Sequence, residues 1–317
     1  MAQINCWMRD IAVILTSKTL NKQMIFGQNW KEGKEDLDIT INGSKYLSAL
    51  KDEFTIKIDN LTYNELLELV VGQYYDVEIK CGYRSSGIHT IFKGAILYIS
   101  NDIESRKTQS IIILCASKLV AKYGQQRLSL GLNSGINMYS AINFLMRRAG
   151  VKNSNVSEEF KNRIIRESEQ VSSTINSFIE NFTQANNMLI NSDSSYGNDV
   201  TIWSPYRTDT RLYDLTSNVT ILVGGYPQLT SDGLSMSVLP SFNFMPGDTI
   251  KIDNSIINLG VYSKSEVFSN KGFYLDEDGK YMIFQLSYNL QNRGSEFSVR
   301  ILAKSRGLMS KITDLYK

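Results

Sequence analysis

The first residues that could do nucleophilic chemistry are the single histidine of the chain, His89, and Cys81. Both lie beside the same predicted hairpin loop, so a Cys–His pair could form between neighbouring strands. A nucleophile of this kind also needs a third group that orients the histidine. The sequence gives neither residue a plausible partner for that role. We therefore interpret His89 as a strand histidine beside a buried cysteine.

The segment "DEDG" at 276–279 is the next candidate, because Asp276 and Asp278 could bind calcium. A calcium loop supplies six or more oxygen ligands, and this segment lacks the remaining ones. Asp278-Gly279 between alternating segments is, however, a strong signal for a hairpin turn. We predict a turn and no metal site.

The aromatic cluster at 203–207, "WSPYR", could stack a sugar or a base. Such a cluster is more often the aromatic end of a strand that packs at a domain junction. The chain shows no phosphate loop, dinucleotide fingerprint, nucleophile elbow or paired-carboxylate motif. We predict no catalytic residues, no cofactor and no enzymatic activity.

Charge and cysteine content narrow the class of protein. The 317 residues carry 34 basic and 32 acidic side chains, spread evenly along the chain. A protein that holds nucleic acid concentrates Lys and Arg on one element, so dedicated DNA binding is not expected. Three widely spaced cysteines favour a reducing compartment over a disulfide framework. No apolar run reaches the ~18 residues of a membrane span, and we expect assembly in a cytoplasm.

The outer thirds of the sequence predict antiparallel strands. Apolar and polar residues alternate through "FTIKID" and "YDVEIKCGY", and again through "YMIFQLSYNL" and "SEFSVRILAKS". "QSIIILCAS" is another predicted strand. "HTIFKGAILYIS" is a further strand, in which Gly94 predicts a kink or bulge. One short helix is expected between Asp59 and Tyr74, with Thr62 as N-cap, Glu65 completing a capping box and Gly72 at its end.

The middle third predicts a small α/β unit. Helical spacing places Met138, Ile142 and Leu145 on one face, and Gly150 ends that helix. The polar stretch at 151–173 is expected to be a loop or a weak helix. A second helix, capped by Ser172 or Ser173, follows and buries four apolar residues, Ile175, Phe178, Ile179 and Phe182. A hairpin with its turn at 195–198 completes the unit.

The predicted fold class is therefore mainly β with an α/β insertion (α+β). Two antiparallel barrels or sandwiches of similar size would flank the insertion. We expect the first barrel in residues 1–125, the α/β domain in 126–218, and the second barrel with a C-terminal tail in 219–317. We also expect the two outer segments to superpose as copies of one barrel, each with its own sheet.

A rigid and almost uncharged connector occupies residues 224–253. It holds three of the four prolines, and its only charges between 224 and 249 are Asp232 and Asp248. Pro246-Gly247 fits a type II turn, which needs a positive φ at the glycine. Structural corners are predicted at four residues, Pro227, Gly233, Pro246 and Gly247.

These elements together resemble the phage baseplate hub proteins of the late control D family, and the hub portion of type VI secretion spike proteins. The resemblance rests on "FTIKIDNLTYNELLELVVGQYYDVEIKCGY" with "TIFKGAILYIS", on the helix in "STINSFIENFTQANN", and on the connector. In the connector, the family pattern is matched by Gly225, Pro227, Thr230, Gly233, Leu239, Pro246 and Gly247. The likeness covers roughly residues 50–305.

The resemblance implies a homotrimer in a viral tail, inside the virion. Each subunit would supply two tube-like barrels, so that three subunits form a pseudo-six-fold ring. That ring would join the six-fold tail tube protein to the three-fold central spike protein, contact other baseplate (wedge) proteins, and line the channel through which DNA passes without specific binding. The Pro246-Gly247 corner would then set the second barrel against its neighbour.

Two other functions are compatible with the same sequence. The first is a distal-tail or tube-end ring protein of a non-contractile tail, which would be a hexamer rather than a trimer. The second is a hub with cell-wall lytic activity, although no stretch is left for a separate catalytic domain.

Overall fold

The computed structural model describes residues 8–27, 37–47, 52–83, 87–105, 108–123, 126–192, 200–204, 210–216, 221–230, 232–258, 275–276 and 278–305. Within these ranges the protein is mainly β, as the alternating patterns predicted, and short helices interrupt the strands. None of the described helices is long and apolar enough to cross a membrane.

The described residues of the N-terminal segment form seven strands and one α-helix. In chain order these are β1 (Arg9–Ser17), β2 (Lys22–Gly27), β3 (Asp38–Tyr46), β4 (Glu53–Asp59), α1 (Tyr63–Val71), β5 (Asp76–Tyr83), β6 (Gly87–Ser105) and β7 (Thr108–Ala116). The start of α1 confirms the predicted capping box: the Thr62 hydroxyl accepts from the Glu65 backbone N–H, and the Glu65 carboxylate accepts from the Thr62 backbone N–H. Gly72 caps its end.

The middle segment is an α/β unit built on two small sheets. It contains β8 (Arg127–Leu132), α2 (Met138–Arg148), β9 (Ser154–Val156), β10 (Glu169–Thr174), α3 (Ile175–Ala185), β11 (Leu189–Asn191) and β12 (Val200–Trp203). β8 pairs with β10, and β11, β12 and β9 form the second sheet. The predicted pairing of β11 with β12 is confirmed, while the turn expected at 195–198 lies outside the described residues.

Two details of this segment differ from the prediction. The N-cap of α3 is Thr174 rather than Ser172 or Ser173, because β10 continues to Thr174 and runs directly into the helix. The stretch at 151–173 is neither a plain loop nor a weak helix, since it holds β9, a 3-10 helix at Glu158–Asn162, and most of β10. The four apolar residues predicted on the buried face of α3 are all buried.

The C-terminal segment returns to strands. They are β13 (Leu212–Asp214), β14 (Gln228–Thr230), β15 (Gly233–Val238), β16 (Thr249–Lys251), β17 (Lys280–Gln291) and β18 (Phe297–Ser305). β13 falls inside the middle third of the sequence, yet it pairs with β16. The chain has therefore rejoined the large sheet by Leu212. The C-terminal tail after Ser305 lies outside the described residues.

One large sheet contains strands of both outer segments. Its order is β14-β15-β18-β17-β3-β4-β7-β6-β5-β1-β2, with β16 on β17 and β13 on β16. The segments meet where β3 pairs with β17, from Tyr46 opposite Gln285 to Thr40 opposite Gln291. The expectation that each segment has its own sheet is therefore wrong. Backbone hydrogen bonds join the segments directly, and such long-range pairing leaves no local signal in the sequence.

Strand order nevertheless repeats within this sheet. In the first segment the path runs β3-β4-β7-β6-β5, and in the last segment it runs β14-β15-β18-β17-β16. The antiparallel register repeats too, because Ile96 lies opposite Cys115 as Ile283 lies opposite Ala303. The outer segments are thus two versions of one five-strand arrangement that share a seam.

The outer segments bury one common apolar core, and the middle segment buries another. Phe54 and Tyr288, from opposite sides of the seam, have ring centroids 5.5 Å apart in the common core. The second core lies within residues 119–202 and includes Ile142 and Phe178. A fully buried apolar side chain contributes about 1.5–3 kcal/mol, so each core holds its own unit together.

Gly94 keeps β6 close to its neighbours. A Cβ at this position would lie 2.3 Å from the Ala116 carbonyl oxygen and 2.4 Å from the Phe92 ring. The predicted irregularity in β6 exists, but it lies at two places beside Gly94: the ladder shifts register next to Phe92 and again between Ile96 and Tyr98. Gly94 itself pairs regularly with Val77.

Candidate functional site

The four residues predicted as corners lie in two groups. Pro246 and Gly247 form the turn before β16: the Asp248 backbone N–H donates to the Met245 carbonyl at 3.1 Å, and Gly247 has φ +94°. Positive φ at the third turn residue confirms the predicted geometry. Pro227 instead precedes β14, and Gly233 is the first residue of β15 in the β14–β15 hairpin, with φ +133°.

The turn packs against the middle segment of the same chain. A Cβ at Gly247 would lie 2.6 Å from Cζ2 of Trp203, the last residue of β12. Beside it, the Asn191 side-chain amide approaches the Pro246 carbonyl at 3.5 Å. We call these residues, with Asp248, the corner site. Its predicted role against a neighbouring subunit remains a prediction.

Asp248 holds the turn closed through its side chain. One carboxylate oxygen accepts from the Met245 backbone N–H at 3.0 Å, and Arg211 binds both oxygens, at 2.9 and 3.2 Å. The Asp248 side chain is 9% exposed, whereas that of Arg211 is 45% exposed. The buried partner of this ion pair is therefore Asp248. Because the Arg211 guanidinium donates two parallel hydrogen bonds to the carboxylate, the ion pair fixes the direction of the chain at the corner.

Aromatic rings anchor the connector that leads to the corner. Tyr213 contacts Phe242 and Phe244 with centroid distances of 5.7 and 4.8 Å, and its hydroxyl donates to the Asn243 carbonyl at 2.8 Å. Burial, with the nearby charge of Asp248, raises the pKa of Tyr213 to about 12. The tyrosine therefore stays neutral and keeps its hydroxyl proton for this hydrogen bond.

His89 and Cys81 stand opposite each other on β6 and β5, as the sequence predicted. Burial raises the pKa of the Cys81 thiol far above its usual value, which disfavours the thiolate that nucleophilic attack requires. Burial also lowers the pKa of His89, whose ring hydrogen-bonds the backbone of Phe242. His89 thus ties β6 to the connector.

The sequence reasoning missed Arg211 and Lys45, and it did not foresee the contact of Trp203 with the corner. Trp203 and Arg211 contact the corner from 44 and 36 residues away along the chain, a separation that leaves no local pattern. Lys45, in contrast, is fully buried in the common core. It shares the inward-facing parity of Ile39 and Ile41 on β3, so the alternation of that strand could have revealed it.

The "DEDG" segment forms a turn. The Gly279 backbone N–H donates to the Asp276 carbonyl at 3.0 Å, and Gly279 has φ +66°. The Asp278 carboxylate accepts from the Lys280 ammonium and backbone N–H, which lowers the pKa of Asp278. The turn opens β17 rather than closing a tight hairpin. Among the described residues, no group of three or more His, Cys, Asp or Glu could hold a metal ion.

The aromatic cluster at 203–207 is described only at Trp203 and Ser204. Trp203 is 5% exposed and packs with Leu47, Leu189 and Met282 where the middle segment meets the large sheet. This position fits the interpretation of an aromatic strand end at a junction. It does not fit a ring that is free to stack a ligand.

Comparison with solved structures gives the fold a context. No protein-family profile and no curated protein matches the chain. The 43 kDa tail protein of prophage MuSo2 from Shewanella oneidensis superposes with a TM-score of 0.59 at 9% identity, over 95% of this chain and 98% of that chain. The fold is that of phage tail proteins.

Two further structures share this tail-protein fold. A tail protein from Neisseria meningitidis MC58 has a TM-score of 0.57 at 9% identity, with 95% of this chain and 98% of that chain covered. An Escherichia coli component of the type VI secretion system, described as similar to the T4 bacteriophage tail proteins gp27 and gp5, has a TM-score of 0.54 at 12% identity. Here 84% of this chain and 73% of that chain are covered.

Proposed function

We propose that this protein is a structural hub of a phage tail. Three copies form a ring that joins the six-fold tail tube to the three-fold central spike, inside the baseplate of the virion. The shared fold with tail proteins and with a type VI secretion component supports this proposal. Other baseplate proteins would contact the outside of the ring.

The repeated strand order is the observation that carries the proposal. One chain holds two versions of a five-strand arrangement, joined by the β3–β17 seam. Three chains therefore present six similar units while keeping three-fold symmetry. An adaptor between a six-fold and a three-fold partner needs this combination, and each unit would supply one tube-like barrel of the ring.

The polar face of the seam suits a channel for DNA. On β3 and β17 the side chains that point away from the core include six uncharged polar residues: Thr40, Asn42, Ser44, Gln285, Ser287 and Asn289. Ser44 and Ser287 lie opposite each other, with their hydroxyl oxygens 3.3 Å apart. By contrast, Glu78 on β5 forms ion pairs with Lys80 and Lys93. Lys57 on β4 and Arg300 on β18 lie opposite Thr40 and Ser287, so cations flank the uncharged strip on both sides. The strip itself would limit contacts with phosphate, which supply most non-specific affinity for DNA.

We propose that the protein acts without catalysis. His89 and Cys81 are the residues whose replacement tests this, since they are the pair that could do nucleophilic chemistry. His89→Ala and Cys81→Ser should leave particle infectivity nearly intact, apart from modest losses of stability. Loss of infectivity in particles that assemble normally would indicate an active site instead.

Symmetry is the decisive measurement. Native mass spectrometry of the purified protein, with tube and spike proteins added, should give three copies, and electron micrographs of the tail tip should show a three-fold ring with six-fold pseudosymmetry. Six copies would favour the distal-tail or tube-end ring protein. A protein that stays monomeric even with both partners contradicts the proposal.

A further inference from the structure

β6 changes its partner strand half-way along its length, and each half is paired along one edge. Residues 87–95 pair with β5 on one edge, and residues 95–105 pair with β7 on the other. On the β5 side, the last described contact is the hydrogen bond from the Ile96 backbone N–H to the Tyr75 carbonyl. Beyond Ile96, no strand within the described residues occupies that edge of β6. We call residues 97–105 on this side the open edge.

β17 is the equivalent of β6 in the last segment, and the corresponding edge of β17 is paired with another strand. Its first residues, 280–282, pair with β16, and residues 285–291 then pair with β3. The change of partner occurs at a bulge that leaves Phe284 out of the register with β18, as a bulge leaves Leu97 out of the register of β6 with β7. The adjoining hydrogen bonds match as well: Ile283 N–H to the Asp248 carbonyl and Ile96 N–H to Tyr75 are both 2.8 Å.

We propose that the open edge of β6 pairs with a strand from a second copy of this chain, as β17 pairs with β3 within one chain. The proposal rests on the proposed ring and names the contact that would close it. Unpaired strand edges readily accept another strand. Because the open edge of β6 and the outer edge of β14 are different surfaces of the chain, pairing one with the other is head-to-tail and can close into a ring.

The repeat identifies the strand and its register. The two five-strand arrangements can be matched strand by strand, following the residue pairs across each ladder. Ser44 on β3 is then equivalent to Thr230 on β14. Ser287 on β17 is equivalent to Ser100 on β6, because each lies three residues after the bulge in its strand. Ser44 lies opposite Ser287 at the seam. Thr230 of one copy should therefore lie opposite Ser100 of the next. Asn258 forms a one-residue bridge to Gln228 on this edge of β14, and the incoming strand would replace that bridge.

Exposed apolar side chains beside the open edge support a protein partner. Leu97 is 42% exposed and Tyr98 is 55% exposed, because the bulge turns two consecutive side chains outward. Tyr75, whose carbonyl accepts the last hydrogen bond on this side, is 49% exposed, and Val71 at the end of α1 is 65% exposed. Several exposed large apolar side chains in one region are typical of interaction sites.

A pair of engineered cysteines tests the register. The double variant Ser100→Cys with Thr230→Cys should, under mild oxidation, give covalent dimers and trimers on a denaturing gel. Each single variant and the wild type should not. Ser44→Cys with Ser287→Cys is the matched control: it occupies the equivalent positions at the seam and should form a disulfide within one chain without increasing the mass.

Hydrogen exchange of the unmodified protein gives a second measurement. Peptides that cover 97–105 should exchange at least about tenfold more slowly in the assembled ring than in the monomer, since new backbone hydrogen bonds protect amides. Peptides that cover 87–95 should change little.

The outcomes separate this proposal from the proposed function. If a trimer forms without the Ser100–Thr230 crosslink and without protection at 97–105, the strand pairing is wrong and the ring stands. A protein that never associates contradicts both. If the cysteine variants fail to fold, protection in the wild type decides.

Discussion

Gly247 lies directly against the indole of Trp203, so that a single added methyl group would come within 2.6 Å of Cζ2. The turn therefore requires glycine at this position for two reasons. Its φ of +94° is unfavourable for other residues, and the ring of Trp203 leaves no room for a side chain. The corner predicted from Pro246-Gly247 is also the place where the middle segment docks on the large sheet.

Gly247→Ala should lower the free energy of unfolding by about 2 kcal/mol or more, from the cost of positive φ and from overpacking against Trp203. Gly224→Ala is the matched control, because Gly224 has φ +77° and open space around its Cβ position; it should cost about 1 kcal/mol. Urea unfolding of both variants measures the difference. Equal losses would show that Trp203 imposes no constraint. Gly247→Val should further reduce trimer formation.

Asp248→Ala should destabilise the protein by about 2 kcal/mol, because it leaves the Met245 N–H and Arg211 without their shared acceptor. Asp278→Ala, at an exposed pair with Lys280, should cost less than about 1 kcal/mol. Thermal unfolding of the two variants tests this ranking. A neutral Asp248→Ala would mean that the turn closes without its carboxylate.

His89 should make stability dependent on pH. Its pKa is lowered in the folded protein by burial, so the unfolded chain binds the proton more tightly. This contribution to stability is complete above the unfolded pKa of about 6.5, and it is lost as the pH falls through that value toward the folded pKa. His89→Gln should therefore lose less stability than wild type between pH 7 and 5.5 in denaturant titrations. Identical losses contradict the role of His89.

Gly94→Ala should cost about 2 kcal/mol, since the new methyl group meets the Ala116 carbonyl and the Phe92 ring. Gly131→Ala is the control: it also lies in a strand, β8, but has nothing within 4 Å of its Cβ position. That substitution should be neutral or slightly stabilising. Calorimetry of the two variants checks the prediction, and a neutral Gly94→Ala would show that β6 can move away from β7.

Local chemistry accounts for what the sequence could predict. The cap at Thr62 and the turn at Gly247 each depend on residues within four positions, so their patterns are readable. The cap of α3 was misplaced because Ser172, Ser173 and Thr174 can all cap, and only pairing with β8 decides where β10 ends.

Long-range pairing was beyond sequence reasoning. Tyr46 and Gln285 are 239 residues apart, and nothing near either residue indicates the other. The contacts of Trp203 and Arg211 with the corner have the same cause. Strand alternation on either side of an unlike middle predicted two similar outer segments, whereas the shared sheet became visible only in three dimensions.

The β3–β17 seam also decides how the chain can come apart. In a fragment that ends at residue 218, β3 would lose its partner β17. In a fragment that begins at residue 219, β17 would lose its partner along 285–291. Each fragment would expose an unpaired strand edge and would lack about half of the residues of the common apolar core. The outer segments should accordingly melt together as one cooperative unit, whereas the middle segment, with its own core, is free to unravel separately.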